Sequence, residues 1–250
     1  MRFEPFFWRA IDELAPPRCR LCGVPAPDDA ACRWHSVPRD DAARCGRCAL
    51  RLPPGAVDGT RCWRCRGRAP AQASLRVVGD YGEPLRSWIL AWKHGARREL
   101  TAVLAALLVE AGERRPRARP TQRGQQATGD RPLLVPVPAH PLRQLERGHA
   151  GVEQLARDYG RLVGQVAVRA LRRRRATPPQ GEPGATSRRA NVAEAFALRR
   201  PVQNRRVLLI DDVVTTGATI DEAARVLRRA GAVRVDALAL ARAEVSSGAS

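Results

Sequence analysis

The sequence has few of the residues that several common site types require. It has 250 residues, a single lysine (Lys93) and 4% aromatic residues. A P-loop needs the pattern G-x-x-x-x-G-K-[ST], and Lys93 is followed by His94, so that class of nucleotide-binding protein is excluded. The G-x-G-x-x-G pattern of dinucleotide-binding folds does not occur either. So few aromatic residues also argue against a base-stacking platform for single-stranded nucleic acid.

Long hydrophobic runs are also missing. No run of ~18 apolar residues occurs, which predicts a protein without a membrane span. The first eighteen residues contain acidic residues and no small-residue cleavage site, so we expect no export signal and a cytoplasmic location. Residues 1–18 instead predict a short helix, with one apolar face formed by Phe3, Phe6, Phe7, Ile11 and Leu14.

What the sequence has in excess is arginine. Forty-four basic residues against twenty-five acidic ones give a formal charge of +19. Such a charge predicts attraction to polyanions such as nucleic acid or to phosphorylated ligands. Because GC-rich codon usage would produce the same arginine content, the charge by itself does not choose a partner.

The seven cysteines lie close together, between Cys19 and Cys65. Six of them form three C-x-x-C pairs, and the seventh belongs to a C-x-x-H pair. Without an export signal, this spacing indicates metal binding rather than disulfides. The eight candidate zinc ligands are Cys19, Cys22, Cys32, His35, Cys45, Cys48, Cys62 and Cys65.

Eight ligands would make two four-coordinate zinc sites, and their role is expected to be structural. Sequential pairing would place Cys19, Cys22, Cys32 and His35 around one ion, and the other four cysteines around a second. Cross-braced pairing is an open alternative, and so is a surface position for His35. Residues 19–68 contain few large apolar side chains, so metal binding would replace the core that this segment lacks.

From residue 75 to residue 243 the pattern becomes that of an α/β domain. Strands are predicted over 75–81, 131–138, 165–171, 205–210 and 232–242. Helices are predicted over 84–95, 97–111, the second half of 141–164, and 219–231. Segments 112–130 and 171–193 lack apolar periodicity and are expected to be mobile loops. Alternating strands and helices predict a parallel sheet flanked by helices.

The segment VLLIDDVVTTGAT, residues 207–219, indicates the ligand. A buried strand ends at Ile210, and Asp211 and Asp212 follow at the edge where ligands of open α/β sheets bind. The loop from Thr215 to Thr219 leads into a helix, whose N-terminus favours a phosphate. Carboxylates suit a diol or a magnesium ion, so both halves together fit a ribose 5-phosphate with free hydroxyls.

These thirteen residues resemble the binding signature for 5-phosphoribosyl 1-pyrophosphate (PRPP) of type I phosphoribosyltransferases. Together with the cysteine pairs, YGEPLRSWILAWKHG and LLVPVPAHPLRQLERG, they make the chain similar to the ComF/GntX family of competence-related proteins. The resemblance implies that residues 19–68 form a double zinc ribbon, and that residues 75–243 form a type I phosphoribosyltransferase-like domain.

The resemblance also implies roles for individual residues. Asp211 and Asp212 would bind the ribose hydroxyls of PRPP, and Lys93 would join them as a catalytic residue. The phosphate and pyrophosphate of PRPP, with Mg²⁺, would be bound by Val213, Val214, Thr215, Thr216, Gly217, Ala218, Thr219, Ala139, His140, Arg143 and Arg147. These groups would stabilise the charge that develops on departing pyrophosphate.

Two functions follow from this resemblance. One is a phosphoribosyltransferase with an unidentified acceptor, linked to DNA uptake or to phosphoribosyl metabolism. The other is an accessory module without catalytic activity, which would bind single-stranded DNA or a competence helicase through the basic surface and the zinc ribbon. The acceptor stays open, since His149, Ala150 and Gly151 stand where the family usually has Phe-Asn-Gln.

Overall fold

The computed structural model describes residues 18–19, 21–24, 37, 40–94, 97–113, 131–138, 151–174 and 194–243. Its helices are α1 (Trp63–Gly67), α2 (Leu85–His94), α3 (Leu100–Glu113), α4 (Gly151–Leu162) and α5 (Ala218–Arg229). Its strands are β1 (Ser74–Asp80), β2 (Leu133–Pro136), β3 (Leu171–Arg173), β4 (Phe196–Leu198), β5 (Arg206–Val214) and β6 (Arg234–Arg242).

Four strands form a parallel sheet in the order β1-β6-β5-β2. β5 and β6 occupy the centre, and their burial explains their nearly continuous apolar sequences, because both faces of a parallel sheet are covered. The prediction of a parallel sheet flanked by helices is therefore confirmed.

Helices cover the sheet on its two faces. On one face α2, α3 and α4 pack against side chains that include Ile210 and Leu238, with Trp88 and Trp92 fully buried among them. On the other face α5 packs through Ile220 and Leu227, together with the antiparallel pair β3–β4. The central strands are thus fixed from both sides, which holds the tip of β5 in place.

Several predicted boundaries differ from the structure. β5 does not end at Ile210 but continues to Val214, because its pairing with β6 extends that far. Arg172 and Arg173, predicted to belong to a mobile loop, form β3 together with Leu171 because these residues pair with β4. The predicted strand over 165–171 is reduced to a single bridge, Leu134 with Ala167, before β3 begins.

Other predictions fall on undescribed residues. The helix over 1–18 is one of them, apart from Arg18, and so are most of the predicted loops, since 114–130 and 175–193 lie outside the described residues. The start of the first loop is a correction, because residues 112 and 113 belong to α3. Within the described ranges, no helix is both long enough and apolar enough to cross a membrane.

Candidate functional site

The two acidic residues of the signature lie where the sheet loses a strand. β2 pairs with β5 up to Pro136 and Ile210, whereas β6 pairs with it as far as Val214. Beyond Ile210, β5 therefore has a described neighbour on one side only. Asp211 and Asp212 follow at this step and are partly exposed, at the carboxyl end of a parallel sheet, where ligands of such folds bind.

Lys93 contacts this pair from another element. Its Nζ lies 2.6 Å from Oδ2 of Asp212, and the two side chains are only 13% and 15% exposed. Lys93 is in the last turn of α2. The neighbouring Trp92 is buried and donates a hydrogen bond from Nε1 to Oγ1 of Thr101 in α3, at 3.0 Å. This contact fixes the end of α2 and thereby positions Lys93.

Backbone amides orient both carboxylates. The amide of Asp212 donates to Oδ1 of Asp211 at 2.9 Å, and the amide of Val213 donates to Oδ1 of Asp212 at 2.5 Å. Asp212 is thus bound at both of its oxygens, by Val213 and by Lys93. Its orientation is set before any ligand binds.

Asp211 differs electrostatically from its neighbour. Burial, followed by the negative charge of Asp212, raises the pKa of Asp211 to about 7. The amide of Asp212 and the cations of Lys93 and Arg173 oppose this shift. Near neutral pH the pair can therefore hold or release one proton, and a bound cation would favour the fully ionised form.

The loop after β5 has the geometry of an anion-binding turn. Gly217, with φ 81°, is the N-cap of α5, and because it has no side chain it makes no capping hydrogen bond to the amides at the start of the helix. One of these amides, that of Ala218, donates a hydrogen bond to Oγ1 of Thr216 at 3.3 Å. Thr215 is exposed, whereas residues 216–219 are half-buried. Because a helix N-terminus carries partial positive charge, a phosphate is favoured here.

The structure brings some of the predicted ligand-binding residues together and leaves others undescribed. Lys93, Asp211 and Asp212 form one group, and residues 215–219 form the adjacent loop. Val214 is buried in the core beneath that loop. Ala139, His140, Arg143 and Arg147 lie outside the described residues, so their roles stay predictions.

Four cysteines of the described N-terminal segment form a cluster. The sulfur atoms of Cys45, Cys48, Cys62 and Cys65 all lie within 4.8 Å of one another, and Sγ of Cys48 is 3.6 Å from Sγ of Cys62. Four sulfurs at ~2.3 Å from a tetrahedral zinc ion would be ~3.8 Å apart. The cluster therefore has the size and the chemistry of a zinc site.

The thiols of the cluster differ electrostatically from one another. A hydrogen bond with Cys48 lowers the pKa of Cys45 to about 4, and the same contact raises the pKa of Cys48. Burial raises the pKa of Cys65 to about 12. A first thiolate forms readily, but further ones are opposed until a cation compensates them, as a bound metal ion does.

The two knuckles that carry these cysteines are fixed by tight backbone packing. A Cβ on Gly46 would lie 2.7 Å from the carbonyl oxygen of Gly59, so only glycine fits there. Cys45, Cys48, Cys62 and Cys65 are the four ligands that sequential pairing assigns to one ion. Of the other predicted ligands, Cys19 is buried and Cys22 exposed, while Cys32 and His35 lie outside the described residues.

Sequence reasoning missed two arginines near the site. Arg173, in β3, approaches Asp211 and stacks over Phe196, 5.7 Å from the ring centre. Arg242 ends the apolar strand β6 and is 2% exposed, and burial lowers the pKa of its guanidinium. A lone arginine that ends the run VDALALAR could have indicated Arg242, whereas Arg173 is one of four consecutive arginines and gives no such signal.

The fold and the signature loop define a protein with a phosphoribosyltransferase domain. Residues 152–248 match the family model described as a phosphoribosyl transferase domain. The chain is also 33% identical to the DNA utilization protein YhgH of Escherichia coli (strain K12) over 238 residues, covering 91% of this chain and 97% of that protein. It is 30% identical to competence protein F of Haemophilus influenzae over 203 residues, covering 80% and 84%. The chain belongs to the ComF-like family.

Among solved structures, the chain is similar to glutamine PRPP amidotransferase from B. subtilis, complexed with ADP and GMP. The TM-score is 0.38 with 16% identity, and the match covers 60% of this chain and 30% of that one.

Proposed function

We propose that this protein binds PRPP together with Mg²⁺ at the tip of β5. The observation that carries the proposal is the arrangement of Asp211, Asp212 and Lys93 directly beside the loop 215–219. Carboxylates accept hydrogen bonds from ribose hydroxyls, and oxygen ligands suit Mg²⁺. The N-terminus of α5, which has no side-chain cap from Gly217, accommodates the 5-phosphate.

The proposed chemistry is transfer of the phosphoribosyl group to an acceptor. The bond from the anomeric carbon to pyrophosphate breaks, and a bond to the acceptor forms, with charge developing on the leaving group. In such a reaction Mg²⁺ supplies charge neutralisation of the pyrophosphate. The protein's own contribution is to orient the ribose through Asp211 and Asp212, which are positioned before binding, so that less ordering is needed.

Calorimetric titration of PRPP with Mg²⁺ into the zinc-loaded protein tests the proposal. We expect binding by the wild type and a loss of at least about tenfold in affinity for Asp211→Asn/Asp212→Asn. The matched control is Asp41→Asn, which removes an exposed carboxylate outside the site. Equal binding by the double variant and the wild type would contradict the proposal.

The cysteine cluster is proposed to hold a structural zinc ion through Cys45, Cys48, Cys62 and Cys65. Support comes from sulfur spacings that fit tetrahedral zinc. A second ion, bound by Cys19, Cys22, Cys32 and His35, completes the proposed double zinc ribbon. Free thiolate ligands of this kind persist in a reducing compartment, which supports the predicted cytoplasmic location.

A second candidate function is favoured by the names of the relatives, a DNA utilization protein and a competence protein. In this alternative the basic protein, with a formal charge of +19, is an accessory module for single-stranded DNA or a helicase partner. Fluorescence anisotropy with a labelled single-stranded oligonucleotide tests DNA binding. The logarithm of affinity should fall with the logarithm of salt concentration, with a slope of ~0.7 per phosphate contact. An absence of binding at low salt would remove DNA as the partner.

A further inference from the structure

A cavity of about 380 Å³ lies between the cysteine-bearing segment and the α/β domain. We call it the junction cavity. One wall comes from α1 and the residues after it, including Trp63, Arg64 and Arg68. The other wall comes from the start of α5 and the end of β6, including Gly217 and Arg242. Neither Asp211 nor Asp212 lines it, so the cavity is adjacent to the carboxylates without containing them.

Arg242 is the most unusual residue of this cavity. It pairs with Val214 of β5 and with Asp80 of β1 at the carboxyl end of β6, and it is only 2% exposed. Among the described residues, its Nε and Nη1 have no hydrogen-bond partner. A Cβ built on Gly217 would lie 3.6 Å from that Nη1, so this nitrogen lies directly beside the loop. Because a buried, charged donor without an acceptor is unfavourable, an acceptor from a ligand would stabilise it.

The charges around the cavity favour an anion. Arg64, Arg68 and Arg242 contribute three guanidinium groups, and the N-terminus of α5 adds partial positive charge. The one lining carboxylate, Asp221, is already paired with Arg225 and accepts a hydrogen bond from the amide of Ala71 at 2.8 Å. Cys48 and Cys65 also line the cavity, and four thiolates around Zn²⁺ would leave two negative charges there, fewer than the three positive charges of the arginines.

We propose that the junction cavity binds the phosphate group of a small sugar phosphate. Arg242 is the buried cation behind the loop, and Arg64 closes the cavity from the cysteine-bearing segment. The inference rests on the proposed function because it uses the same loop, and it extends that function by making the cysteine-bearing segment part of the ligand site. The volume of about 380 Å³ fits one phosphate ester with its sugar, whereas a nucleic-acid strand would need an extended groove.

The structure offers a matched pair of variants for the test. Arg64 and Arg66 both belong to α1, but only Arg64 lines the cavity. Arg66 is exposed and donates from Nε to the carbonyl of Arg61 at 3.1 Å. Arg64→Ala and Arg66→Ala therefore remove the same charge from the same helix, so the difference between them reports on the cavity.

The probe is ribose 5-phosphate without Mg²⁺, titrated by calorimetry into the zinc-loaded full chain. We expect the dissociation constant to rise about tenfold or more for Arg64→Ala and for Arg242→Gln, and less than about twofold for Arg66→Ala. If Arg242→Gln does not fold, the comparison of Arg64→Ala with Arg66→Ala decides. The inference is overturned if ribose 5-phosphate does not bind, or if it binds equally to both helix variants.

A parallel titration of PRPP with Mg²⁺ separates this inference from the proposed function. If binding depends on Asp211 and Asp212 but not on Arg64, the proposed function stands and the inference is overturned. If ribose 5-phosphate binding depends on Arg64 while PRPP binding does not depend on the carboxylates, the inference is supported and the proposed function fails. Binding of a single-stranded oligonucleotide that requires Arg64, without binding of ribose 5-phosphate, overturns the inference in favour of nucleic acid.

Discussion

Nζ of Lys93 lies 2.6 Å from Oδ2 of Asp212, and the exposure of both side chains is below one sixth. This contact joins the end of α2 to the tip of β5. Because both charges are largely removed from water, each depends on the other for compensation. The lone lysine of the chain thus holds one of the two carboxylates in the site.

A double-mutant cycle measures that dependence. Lys93→Met leaves Asp212 without its cation, and we expect it to lower the free energy of unfolding. Combining it with Asp212→Asn should recover part of the loss, with a coupling energy of about 1–3 kcal/mol. Urea denaturation provides the measurement. The exposed pair Glu83 and Arg86 is the control, for which we expect less than about 1 kcal/mol. Equal coupling in the two pairs would contradict the expectation.

The raised pKa of Asp211 predicts how stability depends on pH. The carboxyl has a pKa of about 7 in the folded protein, against 3.8 for an ordinary aspartate. Between about pH 4 and pH 7 the folded state therefore binds more protons than the unfolded state, so the free energy of unfolding falls as pH rises across this window. Asp211→Asn should flatten the fall, as measured by denaturation at a series of pH values. Asp41→Asn should leave this pH dependence unchanged. If Asp211→Asn has the same slope as the wild type, the Asp211 carboxyl does not titrate between about pH 4 and pH 7, and the prediction is wrong.

Gly217 is predicted to be needed for its backbone conformation rather than for space. A Cβ at this position would meet its nearest neighbours at ordinary contact distances, 3.6 Å and 3.9 Å, but φ is 81°. Gly217→Ala should therefore lower the free energy of unfolding by about 1–2 kcal/mol through backbone strain. Thermal denaturation tests this, with Gly67→Ala at an open, helical position as control. A similar effect of both substitutions would contradict the reason given.

The loss of one cysteine ligand should remove one zinc ion from the protein. We expect two zinc ions per chain in the wild type, and one in Cys65→Ser, because a buried ligand of the four-cysteine site is lost. Cys22→Ser should also reduce the content to one ion if the second proposed site exists. Elemental analysis of the purified protein provides the count. A wild-type content of one ion, unchanged in Cys22→Ser, would remove the second site and leave the first.

The periodicity of the sequence predicted the α/β architecture because long segments have one consistent apolar pattern. The helix predicted over 84–95 is present as Leu85–His94, and its apolar residues Leu85, Trp88, Ile89 and Trp92 are buried. Boundaries were less predictable, since strand ends depend on partners. β5 continues past Ile210 because β6 continues beside it, and Arg172 and Arg173 belong to a strand because β4 pairs with them.

What the sequence determined by itself was the chemistry available: four C-x-x-[CH] pairs, two adjacent carboxylates after an apolar strand, and a glycine-containing loop before a helix. Each is a local pattern, set by spacing along the chain. Only the tertiary structure decided which distant groups meet. It placed Lys93 on Asp212 and brought Arg242 and Arg64 together across the junction cavity, because such contacts depend on how helices and strands pack and leave no periodic signal in the sequence.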